Sequence, residues 1–327
     1  MIKHVKIQNF RSFVEAEVDL QPFSLVVGAN GSGKTNFFRF LEKCINLVSG
    51  ADPQTGYTTW TRHSNNQLTP FSFELTYTTG EKVVGKRNAH QDIFEFLGPM
   101  SREKNALIFN LIPEKISTPE KITPNIIVGA SGEGTTAVLE MLKSGDREDL
   151  FDQIEGHFRK YVPEVEKLSL KTFGEGTKQI QVREKGLTEP LPATELSEGT
   201  RIILAILTII HQEKPPAMVL LEDIDRGLHP RLFEYLAPLL RDIAIRHDIN
   251  IVATTHNPYL VDAMQDYKDA VIIVEKKEGA STLSTLASRL EGLNYDRIDP
   301  DDMPLGQLWF SGLVGGTPVS LSSRAAK

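Results

Sequence analysis

Cysteine is almost absent: the chain of 327 residues has one, Cys44. A single thiol excludes an internal disulfide and a cysteine-based zinc site. Lying among Phe40, Leu41, Ile45 and Val48, it reads as a core residue. Long hydrophobic runs are missing too. The longest near the middle, Ile202 to Ile210, is broken by Thr208 and falls well short of the roughly 20 residues a bilayer-spanning helix needs. The start, MIKHVKIQNF, alternates instead of carrying the apolar core of a signal peptide. No membrane is therefore expected as a partner, and a reducing, cytoplasmic setting is the simplest fit. Basic residues are not in excess: 36 Lys and Arg against 43 Asp and Glu leave a net charge of −7. That excludes a nucleic-acid footprint over the whole chain but not a local basic patch. Tandem repeats, a sustained heptad and an N-K-x-D guanine-reading motif are all absent.

What is present suits a sizeable core, 40% hydrophobic and 24% charged, in one large domain or two smaller ones. Residues 2–8, 14–20 and 23–28 read as strands, the first two linked by NFRSF. A glycine-rich turn at 28–33 leads into a helix from about 34 to 48, dense in Phe and Leu. A polar loop over 50–70 and a hairpin over 71–85 follow. The stretch 91–195 is mixed, with helices near 135–144 and 147–161 and strands near 166–172 and 178–184. From there the order is helix (200–213), strand (217–221), helix (230–246), strand (249–254), short helix (258–264) and strand (270–275). This alternation predicts a covered, largely parallel sheet.

Four motifs carry chemistry. GANGSGKT at 28–35 fits G-x-x-x-x-G-K-[ST] between a predicted strand and a predicted helix, the context of a phosphate-binding loop. Backbone N–H groups of Asn30, Gly31, Ser32, Gly33, Lys34 and Thr35 can surround a β-phosphate. Lys34 can reach the β- and γ-phosphates, and the Thr35 hydroxyl can ligate Mg2+. Asn36, next in the helix, is counted with these contacts. AMVLLEDIDRGLHP at 217–230 is a buried strand ending in acids, with Glu222 first in line for the metal and Asp223 second. Asp225 and His229 lie in the turn beyond, and Pro230 opens the next helix. IVATTHNPYL at 251–260 places His256 at the carboxyl end of a strand, where open α/β sheets bind ligands. In ELSEGTRIILAIL at 195–207, Ser197 reads as the N-cap of an apolar helix, a start that favours a second anion.

In this order NFRSF, GANGSGKT, LSEGT, LLEDID and TTHNP resemble the ABC-class ATPase heads of the RecF, OLD and SMC type, over residues 9 to about 260. The resemblance implies an α/β P-loop NTPase fold of ABC-ATPase type in a single domain. It has a mixed-sheet core lobe over about 1–90 and 199–327 and an inserted, partly helical lobe over about 91–198. It implies that the signature turn faces the γ-phosphate held by a second subunit. Ser197 and Gly199 then contact ATP bound by another copy, and two copies enclose two ATPs. It also implies that Arg11 approaches the nucleotide and that a Q-loop glutamine exists, with Gln67, after Trp60–Arg62, preferred over Gln91. Asp223 and His256 are the catalytic candidates, Thr35 and Glu222 the metal candidates.

One departure matters. Related heads usually carry Asp then Glu at the strand end, whereas this chain has Glu222 then Asp223. Asp is one methylene shorter as a base, which predicts slow hydrolysis. The closing DMPLGQLWFSGLVGG resembles the ends of small ATPases of this group, an expectation of a complete chain, with Trp309 and Phe310 as packing residues. The function so implied is an ATP-gated homodimer that hydrolyses ATP and whose closed state a partner reads, in DNA repair or anti-phage defence. Without heptads between Thr35 and Ser197 no coiled-coil arm is expected, and the chain looks too short for an OLD-type nuclease domain. The alternative is a slow or inactive nucleotide-switch scaffold for a separately encoded effector nuclease. A clamp on DNA ends is a further reading that the net charge does not encourage. The ATPase subunit of a membrane transporter fits the NFRSF start and GLHP turn less well.

Overall fold

Alternation at the amino terminus builds the first strand. In β1 (Ile2–Phe10) Val5 and Ile7 are fully buried, while Lys6 and Gln8 lie on the other face. The computed structural model describes residues 1–50, 63–64, 67–68, 70–88, 93–99, 105–124, 126–293 and 303–317. After β1 come β2 (Phe13–Asp19), β3 (Phe23–Val27), α1 (Lys34–Ser49) and the two-residue strands β4 (His63–Ser64) and β5 (Gln67–Leu68). Then follow β6 (Ser72–Tyr77), β7 (Lys82–Asn88), β8 (Ile93–Leu97), β9 (Ala106–Phe109), α2 (Pro113–Ser117) and β10 (Glu120–Lys121). The middle continues with α3 (Thr135–Ser144), α4 (Glu148–Tyr161), β11 (Val165–Gly174), β12 (Thr177–Glu184), β13 (Leu191–Pro192) and α5 (Glu198–His211). Next are β14 (Met218–Leu221), α6 (Phe233–His247), β15 (Asn250–Thr254) and α7 (Pro258–Asp262). The chain closes with β16 (Val271–Lys277), β17 (Ala280–Thr285), α8 (Leu286–Glu291) and α9 (Leu305–Phe310).

Two compact units divide these elements. The first comprises Met1–Ala106, Ala217–Leu220 and Ala237–Lys327, the second Leu107–Pro216 and Leu221–Leu236. In the first, one sheet runs in the order β8-β7-β6-β1-β2-β17-β16-β3-β15-β14. The expected parallel pairing is present where β3 lies between β15 and β16, and where β17 meets β2. Elsewhere short turns link sequence neighbours, and a short turn can only return the chain antiparallel: β1–β2, β6–β7 and β16–β17. The parallel strands β3 and β15 are buried at every residue, as a strand covered on both faces must be. Helix α1 turns Phe37, Phe40, Leu41, Cys44 and Val48 inward. Phe40 and Phe10 pack with ring centroids 5.5 Å apart, Phe10 and Phe71 with 5.3 Å, and Phe71 and Phe94 with 5.7 Å. Cys44 is a buried free thiol, pushed up in pKa by that burial. Strand β8 pairs only with β7 among the described residues.

The second unit is a helical cluster with a hairpin. Helix α5, buried over most of its length from Ile202 to His211, packs on α2, α3 and α4. Strands β11 and β12 pair antiparallel, with β10 and β13 added to β12. The start of α3 has no cap of its own. The Glu120 carboxylate fills that role, accepting from the N–H groups of Gly134 and Ala137. Among the described residues no helix is long and apolar enough to cross a membrane.

Candidate functional site

The loop from Gly28 to Gly33 leaves β3, which lies between β16 and β15 in the first unit's sheet. It runs straight into α1, whose N-cap Gly33 offers no side chain and whose first turn holds no acid. The first-turn N–H groups therefore present their partial positive charge uncompensated, which is what a phosphate seeks. Lys34 is buried, its Nζ donating to the carbonyl oxygens of Gly28 at 2.7 Å and Ala29 at 3.2 Å. The lysine thus lies folded over the loop's own backbone. Ser32 is buried as well, and its Oγ has no hydrogen-bond partner. Thr35 is exposed.

Three neighbours brace this loop. The Ser281 hydroxyl of β17 donates to the Ser32 carbonyl at 2.6 Å. Gly33, at φ +121°, sits so close that a Cβ there would meet Ser281 Oγ at 2.6 Å. Arg11, in the tight β1–β2 turn at φ +47°, donates through Nη1 to Asn36 Oδ1 at 3.3 Å, and Asn36 Nδ2 donates to Ser12 Oγ at 2.9 Å. Burial and the nearby Arg39 lower the Arg11 pKa, but a guanidinium stays charged. Arg11 and Asn36 therefore arrive at the loop as one hydrogen-bonded pair.

His256 follows β15, which runs parallel to β3 with Thr254 opposite Val26. Two residues beyond those partners stand His256 and Gly28, so both turns emerge at the same end of the sheet. The Thr255 hydroxyl accepts the Asn257 N–H at 3.0 Å, and Asn257 caps α7 by accepting the Tyr259 N–H at 3.0 Å. His256 is exposed between them.

The second unit carries the other candidates. Glu222, half-buried, follows β14 directly, and its N–H donates to the Phe109 carbonyl at 2.9 Å. Asp223 is exposed at φ +49°, the left-handed region. Ser197 caps α5 as its sequence implies, accepting the Thr200 N–H at 3.2 Å. Gly199 is buried, and a Cβ there would meet the Gly227 carbonyl oxygen at 2.2 Å. The signature turn and the turn after Asp225 therefore touch backbone to backbone. Only glycine permits that approach.

The first unit thus gathers Arg11, Asn30 to Asn36 and His256, and the second gathers Ser197, Gly199, Glu222 and Asp223. Ser12, Ser281 and Gly227 were not singled out from the sequence. The weak signal for Ser281 is the Glu278–Gly279 pair, a two-residue turn between alternating residues, and that for Gly227 is the glycine of RGLHP. Gln67 lies in β5, with its side chain outside the described residues, as are Gln91 and Trp60–Arg62.

Comparison with known proteins bears on the fold. Residues 1–128 match the family described as "AAA ATPase domain". Residues 137–262 match the one described as "AAA domain, putative AbiEii toxin, Type IV TA system". The chain is similar to an OLD nuclease of Thermus scotoductus, 22% identical over 361 aligned positions that cover 89% of this chain and 67% of that protein. Its fold is similar to an SMC head bound to the C-winged helix domain of ScpA, with TM-score 0.60, 13% identity and 90% and 98% of the two chains covered. The SMC head domain of Thermotoga maritima gives 0.52 at 14% identity, covering 87% of this chain and 98% of that one. Motifs and similarity together give the chain the P-loop fold of ABC-type ATPase heads, similar to those of OLD and SMC proteins.

Proposed function

We propose that the chain binds ATP with Mg2+ on the Gly28–Thr35 loop, hydrolyses it, and alternates between single heads and an ATP-held homodimer. The observation that carries this reading is the start of α1, uncapped and acid-free, with Lys34 resting on two carbonyls that phosphate oxygens can replace. The buried Ser32 Oγ without a partner fits a phosphate group at the same place. Among the described residues no group of three or more His, Cys, Asp or Glu could hold a metal. Mg2+ suits that scarcity, since it commonly takes one or two protein ligands besides phosphate oxygens and water. The protein groups assigned to it are Thr35 and Glu222. When bound, it neutralises charge on the phosphates.

In this reading Lys34 draws the phosphate chain into the loop, and the N–H groups of Asn30 to Thr35 fix its orientation. Arg11 and Asn36 meet the nucleotide as a pair. Asp223 takes the proton of the attacking water, and His256 holds that water or the γ-phosphate. Ser197 and Gly199 face the nucleotide of the second copy, so each site is completed by the other chain. Two of the similar SMC heads were solved bound to ScpA domains, and the OLD relative is a nuclease. A separately encoded effector such as a nuclease, or DNA, is accordingly the reader of the closed pair, in the cytoplasm, in repair or anti-phage defence. The short Asp223 base favours one variant of this reading: a slow switch whose closed state lasts long enough to scaffold an effector.

The mass of the purified protein with and without ATP and Mg2+ tests pairing. Mixing two dead variants tests the shared site. Ser197→Arg chains combined with Lys34→Ala chains form pairs with one doubly defective site and one intact site. Recovered ATPase activity supports the composite site. Mixed dimers without any activity would return Ser197 to an ordinary helix cap.

A further inference from the structure

The carboxy-terminal segment around LGQLWFSGLVGG touches two places that flank the phosphate loop. The first is α7, immediately after His256. Helix α9 begins without a side-chain cap of its own, and Asp262 of α7 supplies one, accepting the Gly306 N–H at 2.7 Å. Backbone contact seals the joint: a Cβ on Gly306 would meet the Pro258 carbonyl oxygen at 2.1 Å. Helix α7 is only five residues long, its start tied to Thr255 and Asn257. Moving it therefore moves the turn that holds His256.

The second place is the end of β16. There Glu275 accepts the Gly316 N–H at 3.0 Å and pairs with Arg289, which also donates to Ser284 at 2.8 Å. A Cβ on Gly315 would meet Glu275 Oε1 at 2.4 Å, so the turn lies flat on the carboxylate. One residue earlier, the Val274 carbonyl backs the phosphate loop, 2.4 Å from where a Gly28 Cβ would stand. Asn30 and Gly31 on one side and Glu275 and Gly316 on the other line one cavity of about 420 Å³. Leu305, Leu308, Trp309 and Val314 anchor the segment, each at most 4% exposed.

We propose that Leu305–Gly316 is a positioning clamp for the nucleotide site. It sets the His256 turn through Asp262 and Gly306, and the strand end behind the phosphate loop through Glu275 and Gly316. The proposal rests on the ATPase reading above for its catalytic consequence only. Gly306→Ala and Asp262→Leu each break the first grip, whereas Asp262→Asn keeps an acceptor oxygen for the Gly306 N–H. The expected result is a tenfold or greater fall in kcat for the first two, with ATP affinity within twofold of wild type, and near-wild-type turnover for Asp262→Asn. Unchanged turnover in folded Gly306→Ala overturns the clamp. So does a joint fall of kcat and affinity that tracks the loss of melting temperature. If the wild type itself shows no turnover, the hydrolase reading fails and the His256 ring decides about the clamp. Its NMR resonance, assigned by its loss in His256→Ala, then shifts in Gly306→Ala and Asp262→Leu but not in Asp262→Asn. A resonance unmoved in Gly306→Ala overturns the proposal.

Discussion

At position 223 the backbone selects the acid. A φ of +49° is tolerated by Asp and Asn several-fold more readily than by other side chains, because a short polar group can hydrogen-bond locally. The Glu222–Asp223 order, reversed from that of related heads, therefore matches the conformation of its turn. Asp223→Asn keeps that conformation and removes only the charge. It should leave ATP affinity unchanged and lower kcat by about 10²–10⁴ if Asp223 is the base, which single-turnover assays would read. Asp223→Glu puts the longer acid at the second position at the expense of roughly 1–2 kcal/mol of backbone strain. A rise in turnover without loss of melting temperature would refute the backbone argument. Glu275 gives a pH test. Burial pushes its carboxyl up, but the Gly316 N–H and the Arg289 guanidinium, with Lys277 beyond, pull it further down, below the usual carboxylate range. A carboxyl depressed on folding adds stability above its unfolded value, about 4.3, and loses it as pH falls through the folded value. Glu275→Gln should thus melt earlier at pH 7 and show a shallower fall in melting temperature below about pH 4.

Among the elements, α1 joins core to site. Its inner face is aromatic, with Phe40 fully buried against Phe10, Phe71 and Phe73. Phe40→Ala should cost about 3–5 kcal/mol in chemical denaturation. A smaller loss would mean that the cluster collapses into the gap. Glu120→Ala, which uncaps α3, should cost about 1–2 kcal/mol. These elements also mark what a sequence can reveal. Strand β1 and helices α1 and α4 are legible because one face of each is buried and the residue period records it. Strand β3, apolar but for the buried Ser24, is legible from its place before the glycine loop. Strand β17 was missed: ASTLST is small and polar, yet Ser281 within it is 1% exposed because it braces the phosphate loop. No local pattern announces a serine buried for a neighbour's carbonyl. The same holds for Gly227, whose partner Gly199 lies 28 positions away in a different motif. The acids and the histidine are readable as candidates because each follows the end of a strand, and strand ends show in hydropathy, whereas the loop lysine shows through the glycine motif that leads into α1. Trp309 and Phe310 read as packing residues; Trp309 is buried, but Phe310 is 72% exposed, and the hold of α9 on α7 runs through the Gly306 backbone, which no side-chain pattern records.

For the molecule as a whole, the described residues between the phosphate loop and the signature turn hold no helix longer than the 16 residues of α1, about 24 Å at 1.5 Å per residue. Among the described residues no arm is built there, and in the proposed function ATP is what brings two heads together. Saturating ATP at a hundred times its Kd should raise stability by about 2.7 kcal/mol through binding alone. Lys34→Ala should erase that gain, as differential scanning calorimetry can check. The open side of β8 has a different consequence, for handling. Leu97 at its end is 76% exposed, beside backbone donors and acceptors that no strand covers among the described residues. Such a rim is a template for a strand from any other molecule. The concentration the protein tolerates is then limited at this edge and not by its folding free energy. A lysine there repels an incoming strand: Leu97→Lys should raise the concentration at which light scattering begins while leaving the melting temperature where it was.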